Sequence, residues 1–417
     1  MILNKDKNYR LPKRKTMFIY QKIRRALSRF KKRVIMPFRF KLEESMIIGD
    51  RQAQRAGDNS QLMQAGIVNV YNGIDEKRAR EICAETYAIA RKDFTADAYA
   101  CATERVQQFE EALLPKIQQI EGALNKFADP SFQFLLTSAQ RTAAATERSS
   151  DYDMLSELLV CRITKGESRK NRAGISRAVE IVDKVDDDAL CALTVVHAVN
   201  KVLPLSGDIN VGLQVLDNMF GKLIYTSLPN GEDWIEHLDI LDAVRISSAS
   251  RFKKLDEYYS ERLNGYSAAG ICVASEEYHK AMELLASVNI SPEILVPTEL
   301  LDGYVRIPVV NRDAINDMSL RRCVNISGQC VEISAPATEA EKAVLFAVWD
   351  LYASEDAKEQ AKSKFMVRWD SFSSLRILHQ WWDALSTAFT ITHVGTVLAH
   401  TNARRCDNII PELPLAT

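Results

Sequence analysis

The chain has 417 residues, of which 47% are hydrophobic and 26% charged. That is the composition of a folded chain long enough for two or three domains. Glycine (16) and proline (12) are scarce, which argues against a turn-rich all-β fold and for helices. No run reaches the roughly 18–20 consecutive apolar residues of a membrane span, and no apolar core with a small-residue cleavage site opens the chain, so a cytoplasmic location is expected.

The formal net charge of −1 conceals an asymmetry. Residues 1–41 hold fifteen Lys/Arg and one acid, Asp6, a balance of +14, which leaves −15 for the rest. Within this arm Ile19, Ile23, Leu27, Phe30 and Val34 recur at helical spacing, and Pro37 stops the pattern. Lys22, Arg24, Arg25, Arg29, Lys31, Lys32 and Arg33 fill other positions, the pattern of a basic amphipathic helix. Such a helix can lie on an anionic membrane or on nucleic-acid phosphates. It can equally dock on the chain's own acidic body. Met46 opens a segment of different character, so an upstream start is a further reading of residues 1–45.

Residues 46–74, MIIGDRQAQRAGDNSQLMQAGIVNVYNGI, form a polar repeat punctuated by Gly49, Gly57, Gly66 and Gly73. Asp58, Asn59 and Ser60 after Gly57 are turn chemistry, and residues 67–71 read as a short strand. Short strands with so few apolar side chains cannot bury a core alone. They either pair with copies from other chains, aligning Gln and Asn side chains in ladders, or form a flexible linker. Gly57, Asp58, Asn59, Ser60, Gln64 and Gly66 are the candidate oligomerisation residues, and a homo-oligomer is expected.

GDRQAQRAGDNSQLMQAG, followed by VNVYNGI and EKRAREIC, resembles the opening of a family of uncharacterised bacterial proteins. The likeness resumes at DYDMLSELLVCRI (151–163). It returns at ITHVGTVLAHTNARR (391–405), which is similar to a Leu-Thr-x-x-Gly-x-x-Ile-Ala-x-x-Asn ending. The resemblance implies an accessory bacterial protein with a link to phage defence, and it implies no catalytic residues. Residues 1–45 depart from the family pattern.

From Asp75, an expected N-cap, the chain reads as helix. Phe94, Ala98, Ala102, Val106, Phe109, Leu113, Ile117, Ile120, Leu124 and Phe127 continue one apolar stripe over about 50 Å if helical. Pro115 should kink it, and Asp129-Pro130 should end it. The stripe reads as a core helix of a bundle or as an intermolecular helix bundle. From 129 to 300 a helical-hairpin body is expected, with helices over 131–148, 152–165, 172–185, 187–203, 209–225, 232–247 and 251–263. The basic stretch SRKNRAG (168–174) reads as a solvated turn.

Residues 301–417 read as an α+β module. Val324, Ile326, Val331 and Ile333 alternate around Ser327-Gly328 as a hairpin. Thr338 and Glu341 form a capping box before helices over 339–353, 355–366 and 372–387. A strand over 389–392 and a helix over 395–405 follow. Three helices and then a strand resemble a winged-helix core, although SFSSLRILHQWWDAL holds little positive charge and its Trp381-Trp382 pair reads as packing. The expected fold is thus mainly α: a small N-terminal β-turn segment, a long helix over 75–128, a helical-hairpin body and a winged-helix-like C-terminal module.

Chemistry is harder to find. There is no GxGxxG, P-loop, HExxH or GxSxG. Cysteines at 83, 101, 161, 191, 272, 323, 330 and 406 form no CxxC, so neither a zinc site nor a disulfide framework is expected. His197 reads as a satisfied core histidine. Asp151 and Asp153 read as capping residues. His393 and His400 straddle Gly395 near Arg404 and Arg405, residue types a nuclease-like cluster would use, but no acid is near in sequence. No catalytic residue, metal ligand, cofactor or small-molecule substrate is identified. Three functions stay open: a self-assembling scaffold or sensor in bacterial stress or phage defence, a nucleic-acid- or membrane-surface-binding protein acting through the arm, and an effector enzyme with an unrecognised site.

Overall fold

The computed structural model describes residues 76–412, apart from 122, 128, 166–167, 248–249, 327–328 and 354, with side chains described from 95 onward except those of 124–125 and 323–331. The fold is mainly α: fourteen α-helices and seven short strands lie among the described residues. They divide into two compact units that part after Lys184. The basic arm, the polar repeat and the expected Asp75 cap lie outside the described residues.

The first unit is built on α1 (Glu76–Gln118). Val106, Phe109, Leu113 and Ile117 are buried on it, as the apolar spacing requires. Two parts of the stripe behave otherwise. Ala98 is exposed and Ala102 half-buried, so the core begins only at Val106. At its other end α1 runs through Pro115 but stops at Gln118, and a one-turn helix α2 (Ala123–Lys126) follows. The continuous helix expected to 128 is therefore broken: the turn at 119–121 lets Phe127 swing back onto Phe132, ring centroids 5.1 Å apart.

Helices α3 (Pro130–Ala145), α4 (Ser149–Lys165) and α5 (Arg169–Ile181) complete this unit. Asp129 caps α3 by accepting from the Ser131 N–H, with Pro130 at the first helical position, where a missing N–H costs nothing. SRKNRAG is not a loop but the start of α5: Ser168 accepts from the Asn171 N–H, and Gly174 and Ile175 are buried. Asp151 is a buried first-turn acid of α4. It accepts from the Thr146 hydroxyl at 2.5 Å and the Arg148 Nε at 3.1 Å, and the helix dipole favours it there. Asp153 instead points to Lys116 Nζ, 3.4 Å away.

The second unit is organised around α6 (Asp187–Lys201), buried without a break from Ala189 to Val199. A helix apolar all round belongs at the centre of a core. Around it come α7 (Ile209–Leu223), α8 (Asp233–Ile240), β1 (Val244–Ser247), α9 (Leu255–Arg262), β2 (Ile271–Cys272), α10 (Glu276–Ser287), β3 (Val296–Pro297) and β4 (Tyr304–Arg306). The chain continues with β5 (Ser319–Ile326), β6 (Gln329–Pro336), α11 (Glu339–Trp349), α12 (Glu355–Asp370), α13 (Ser373–Asp383), β7 (Ala388–Ile391) and α14 (His393–Cys406). The helix expected over 232–247 is cut short: Leu241 ends it, Asp242 takes φ 62°, and the β-branched run that follows becomes β1.

Residues 301–412 do not form a separate winged-helix module. Strand β7 pairs antiparallel with β1, Val244 opposite Ile391 and Ser247 opposite Ala388, and the hairpin β5–β6 pairs only within itself among the described residues. Helix α11 packs on α10, whereas α12 and α13 pack on each other and α13 also packs on α7. The three helices are thus shared between two cores. One holds Leu285, Ile307, Ile315, Leu345 and Val348. In the other, Trp381 and Trp382 are buried as packing residues, donating their indole N–H groups to the carbonyls of Pro229 and Lys253.

Candidate functional site

A buried polar cluster lies where α14 packs on α6. Its position follows from the sequence around Gly395. Thr392 caps α14 by accepting from the Gly395 N–H at 3.1 Å, while its hydroxyl donates to the Asp242 carbonyl at 2.6 Å. Gly395 then lies so close to β1 that an added Cβ would stand 2.0 Å from the Ala243 carbonyl oxygen. Only a residue without a side chain permits this approach. The helix enters the core with residues 397–403 all buried.

Three polar side chains on that helix find partners inside. His400 Nε2 lies 3.0 Å from the Pro411 carbonyl oxygen, which can only accept, so Nε2 carries the proton. In the neutral His400 ring Nδ1 is then an acceptor, 3.2 Å from His197 Nε2 on α6, and His197 donates to it through Nε2–H. Burial pushes His197 down to about 3, helped by His400 and Lys201. Asn402, fully buried, donates to the Thr194 hydroxyl at 2.9 Å and the Tyr225 hydroxyl at 3.3 Å. It accepts from Arg405 Nε at 2.9 Å, and the Arg405 guanidinium sits 5.4 Å over the Tyr225 ring. Lys222 closes the seam at its end with Asp407, 3.0 Å away.

The nucleophiles beside this seam are held in their neutral forms. The Cys191 thiol donates to the Leu223 carbonyl at 3.3 Å, and burial pushes it up to about 11. Burial raises Cys406 and Tyr225 as well. A thiol in such surroundings is inert. The arrangement therefore fixes α14 against α6 through matched donors and acceptors, a use of buried polar groups that specifies one packing of two helices.

The residues singled out in the sequence are distributed as follows. His197 is the core histidine expected, and its partner, His400, is 203 positions away. His393 opens α14 about 10 Å along the axis from His400, Arg404 lies 3.8 Å from Glu412, and Arg405 serves Asn402. The nuclease-like grouping of His393, His400, Arg404 and Arg405 is not assembled, because His400 turns inward to α6. Gly57, Asp58, Asn59, Ser60, Gln64 and Gly66 lie outside the described residues, as do Lys22, Arg24, Arg25, Arg29, Lys31, Lys32 and Arg33. Among the described residues no group of three His, Cys, Asp or Glu could hold a metal ion, and no helix is long and apolar enough to cross a membrane.

A second buried centre escaped the sequence reading. Arg306 on β4 is 1% exposed and donates to the carbonyls of Gly207 at 2.9 Å and Gly265 at 3.4 Å. Glu299 stands 3.6 Å from it. The signal was Gly207 and Gly265 themselves: a Cβ on either would lie 1.8 Å and 2.0 Å from the carbonyls of Pro308 and Val309.

Comparison with known proteins finds no match among the curated proteins and none among the solved structures. The model of an uncharacterised protein family matches residues 73–413, beginning at the last two residues of the polar repeat. The chain belongs to that uncharacterised family.

Proposed function

We propose that the protein is a self-assembling, non-enzymatic scaffold or sensor of the bacterial cytoplasm. The observation that carries this reading is the unburied stretch 95–104 of α1. The helix has 43 residues, about 65 Å, yet no residue from 95 to 104 is buried. A stretch with no buried residue gains little from its own fold, since most helical stability comes from packing of an amphipathic face, and a partner would supply that packing. The polar repeat, itself unable to bury a core, immediately precedes the helix. A stress or phage-defence role is suggested by the resemblance of GDRQAQRAGDNSQLMQAG and ITHVGTVLAHTNARR to accessory bacterial proteins. The test is the mass of the full chain in solution by light scattering, with and without residues 46–74: a particle several times the 47.0 kDa chain that shrinks on deletion supports assembly, and a monomer in both cases overturns it.

The charge asymmetry favours a second reading, binding of an anionic surface through residues 1–41. Salt-sensitive binding to anionic vesicles or DNA that disappears when residues 1–41 are deleted supports it. Binding unchanged by the deletion removes it.

A further inference from the structure

We infer that the second unit holds a binding site for a free amino acid with an aliphatic side chain, between the start of α7, the 298–301 loop and one face of α12. A cavity of about 210 Å³ opens there, smaller than the roughly 300–1,000 Å³ of drug-sized sites and suited to a ligand of single-residue size. The inference is independent of the assembly reading.

The lining divides by chemistry. Ile209 and Leu300, both buried, give the lining its apolar part, together with Val367, 71% exposed. Lys364 and Arg368, four residues apart on α12, present two cations from one helix face. Lys364 has no ion-pair or hydrogen-bond partner among the described residues. Arg368 is pre-positioned: its Nε and one terminal nitrogen both donate to Asn210 Oδ1, at 2.8 Å and 2.5 Å, which leaves the other terminal nitrogen for a ligand. Glu299 adds an anion to the lining, held in place by Arg306 at 3.6 Å.

Two cations, one carboxylate and three apolar side chains lining one cavity match a zwitterion. The ligand carboxylate takes Lys364 and Arg368, its ammonium takes Glu299, and its side chain covers Ile209, Leu300 and Val367. Charge-assisted hydrogen bonds are the strong ones, so both charged ends should be required.

The experiment is calorimetric titration of the full-length protein with L-leucine. Isovalerate, which lacks the amino group, and isoamylamine, which lacks the carboxylate, are the controls. Leucine is expected to bind, and each control at least tenfold more weakly. Lys364→Ala and Glu299→Gln should each weaken leucine at least tenfold, with melting temperatures near that of the wild type confirming that both variants fold. No heat with millimolar leucine overturns the inference. So does leucine binding that neither substitution alters, or isovalerate binding as tightly as leucine.

Discussion

At the scale of single residues, the α6–α14 seam makes its own predictions. His197 is kept neutral by burial, with a folded pKa of about 3 against an unfolded value near 6.5. Because the folded state resists the proton and the unfolded state accepts it, the stabilising effect is complete above about pH 6.5 and declines as the pH falls toward 3. Between pH 6 and 5 the slope from this residue should approach about 1.4 kcal/mol per pH unit. Urea unfolding at a series of pH values measures it, and His197→Gln should flatten it while leaving the family of carboxylates untouched. Asn402 gives a pH-independent counterpart. Removing its amide by Asn402→Ala strips Thr194, Tyr225 and Arg405 of a shared partner, at a cost of about 1–3 kcal/mol in the same unfolding assay. Gly395→Ala should cost a similar amount for a different reason, since its Cβ has no room beside the Ala243 carbonyl.

At the scale of elements, what the sequence made legible was what local chemistry decides. The capping box of Thr338 and Glu341 is formed on both sides: Thr338 accepts from the Glu341 N–H at 3.3 Å, and Glu341 accepts from the Thr338 N–H at 2.7 Å. The Thr338 N–H is the main reason the Glu341 carboxyl is held low, and Arg322 on β5 adds an ion pair at 2.7 Å that ties the hairpin to α11. Thr338→Ala should cost about 1 kcal/mol of stability, readable as a lowered urea midpoint with an unchanged slope. The hairpin, the β7 strand and the long apolar run of α6 were legible for the same reason. What was not legible depended on distant partners. Residues 244–247 sat inside an apparent helix because nothing local announces that β7, some 140 positions on, will pair with them. SRKNRAG read as a loop because its basic residues hide a Ser168 cap and a buried Gly174. The winged-helix reading failed because helix order says nothing of which core each helix joins. Of the polar seam, His197 and the ending that contains Gly395 and Asn402 could be named in advance, but not that His197 and His400 face each other.

At the scale of the whole molecule, the question is what covers residues 95–104 of α1. From Thr95 to Glu104 the helix carries no buried residue, and Ala98, Tyr99 and Cys101 are exposed on it. Small residues let two helices approach closely, and the helix continues N-terminally to Glu76, so a second copy of the same helix, which would supply equal length, is the partner we propose. Assembly through α1 and assembly through residues 46–74 can be told apart. Ala98→Glu places a charge on the stripe that a helix pair would bury but leaves an isolated exposed helix unharmed, since glutamate is a good helix former. Light scattering on this variant should therefore show a smaller particle than the wild type while circular dichroism stays unchanged. Cys101 supplies a second readout: mild oxidation should join two chains through it if the helices pair in parallel and near register. A variant that keeps the wild-type mass, from a protein whose mass does fall on deletion of 46–74, would assign assembly to the polar repeat alone and leave residues 95–104 of α1 to another partner.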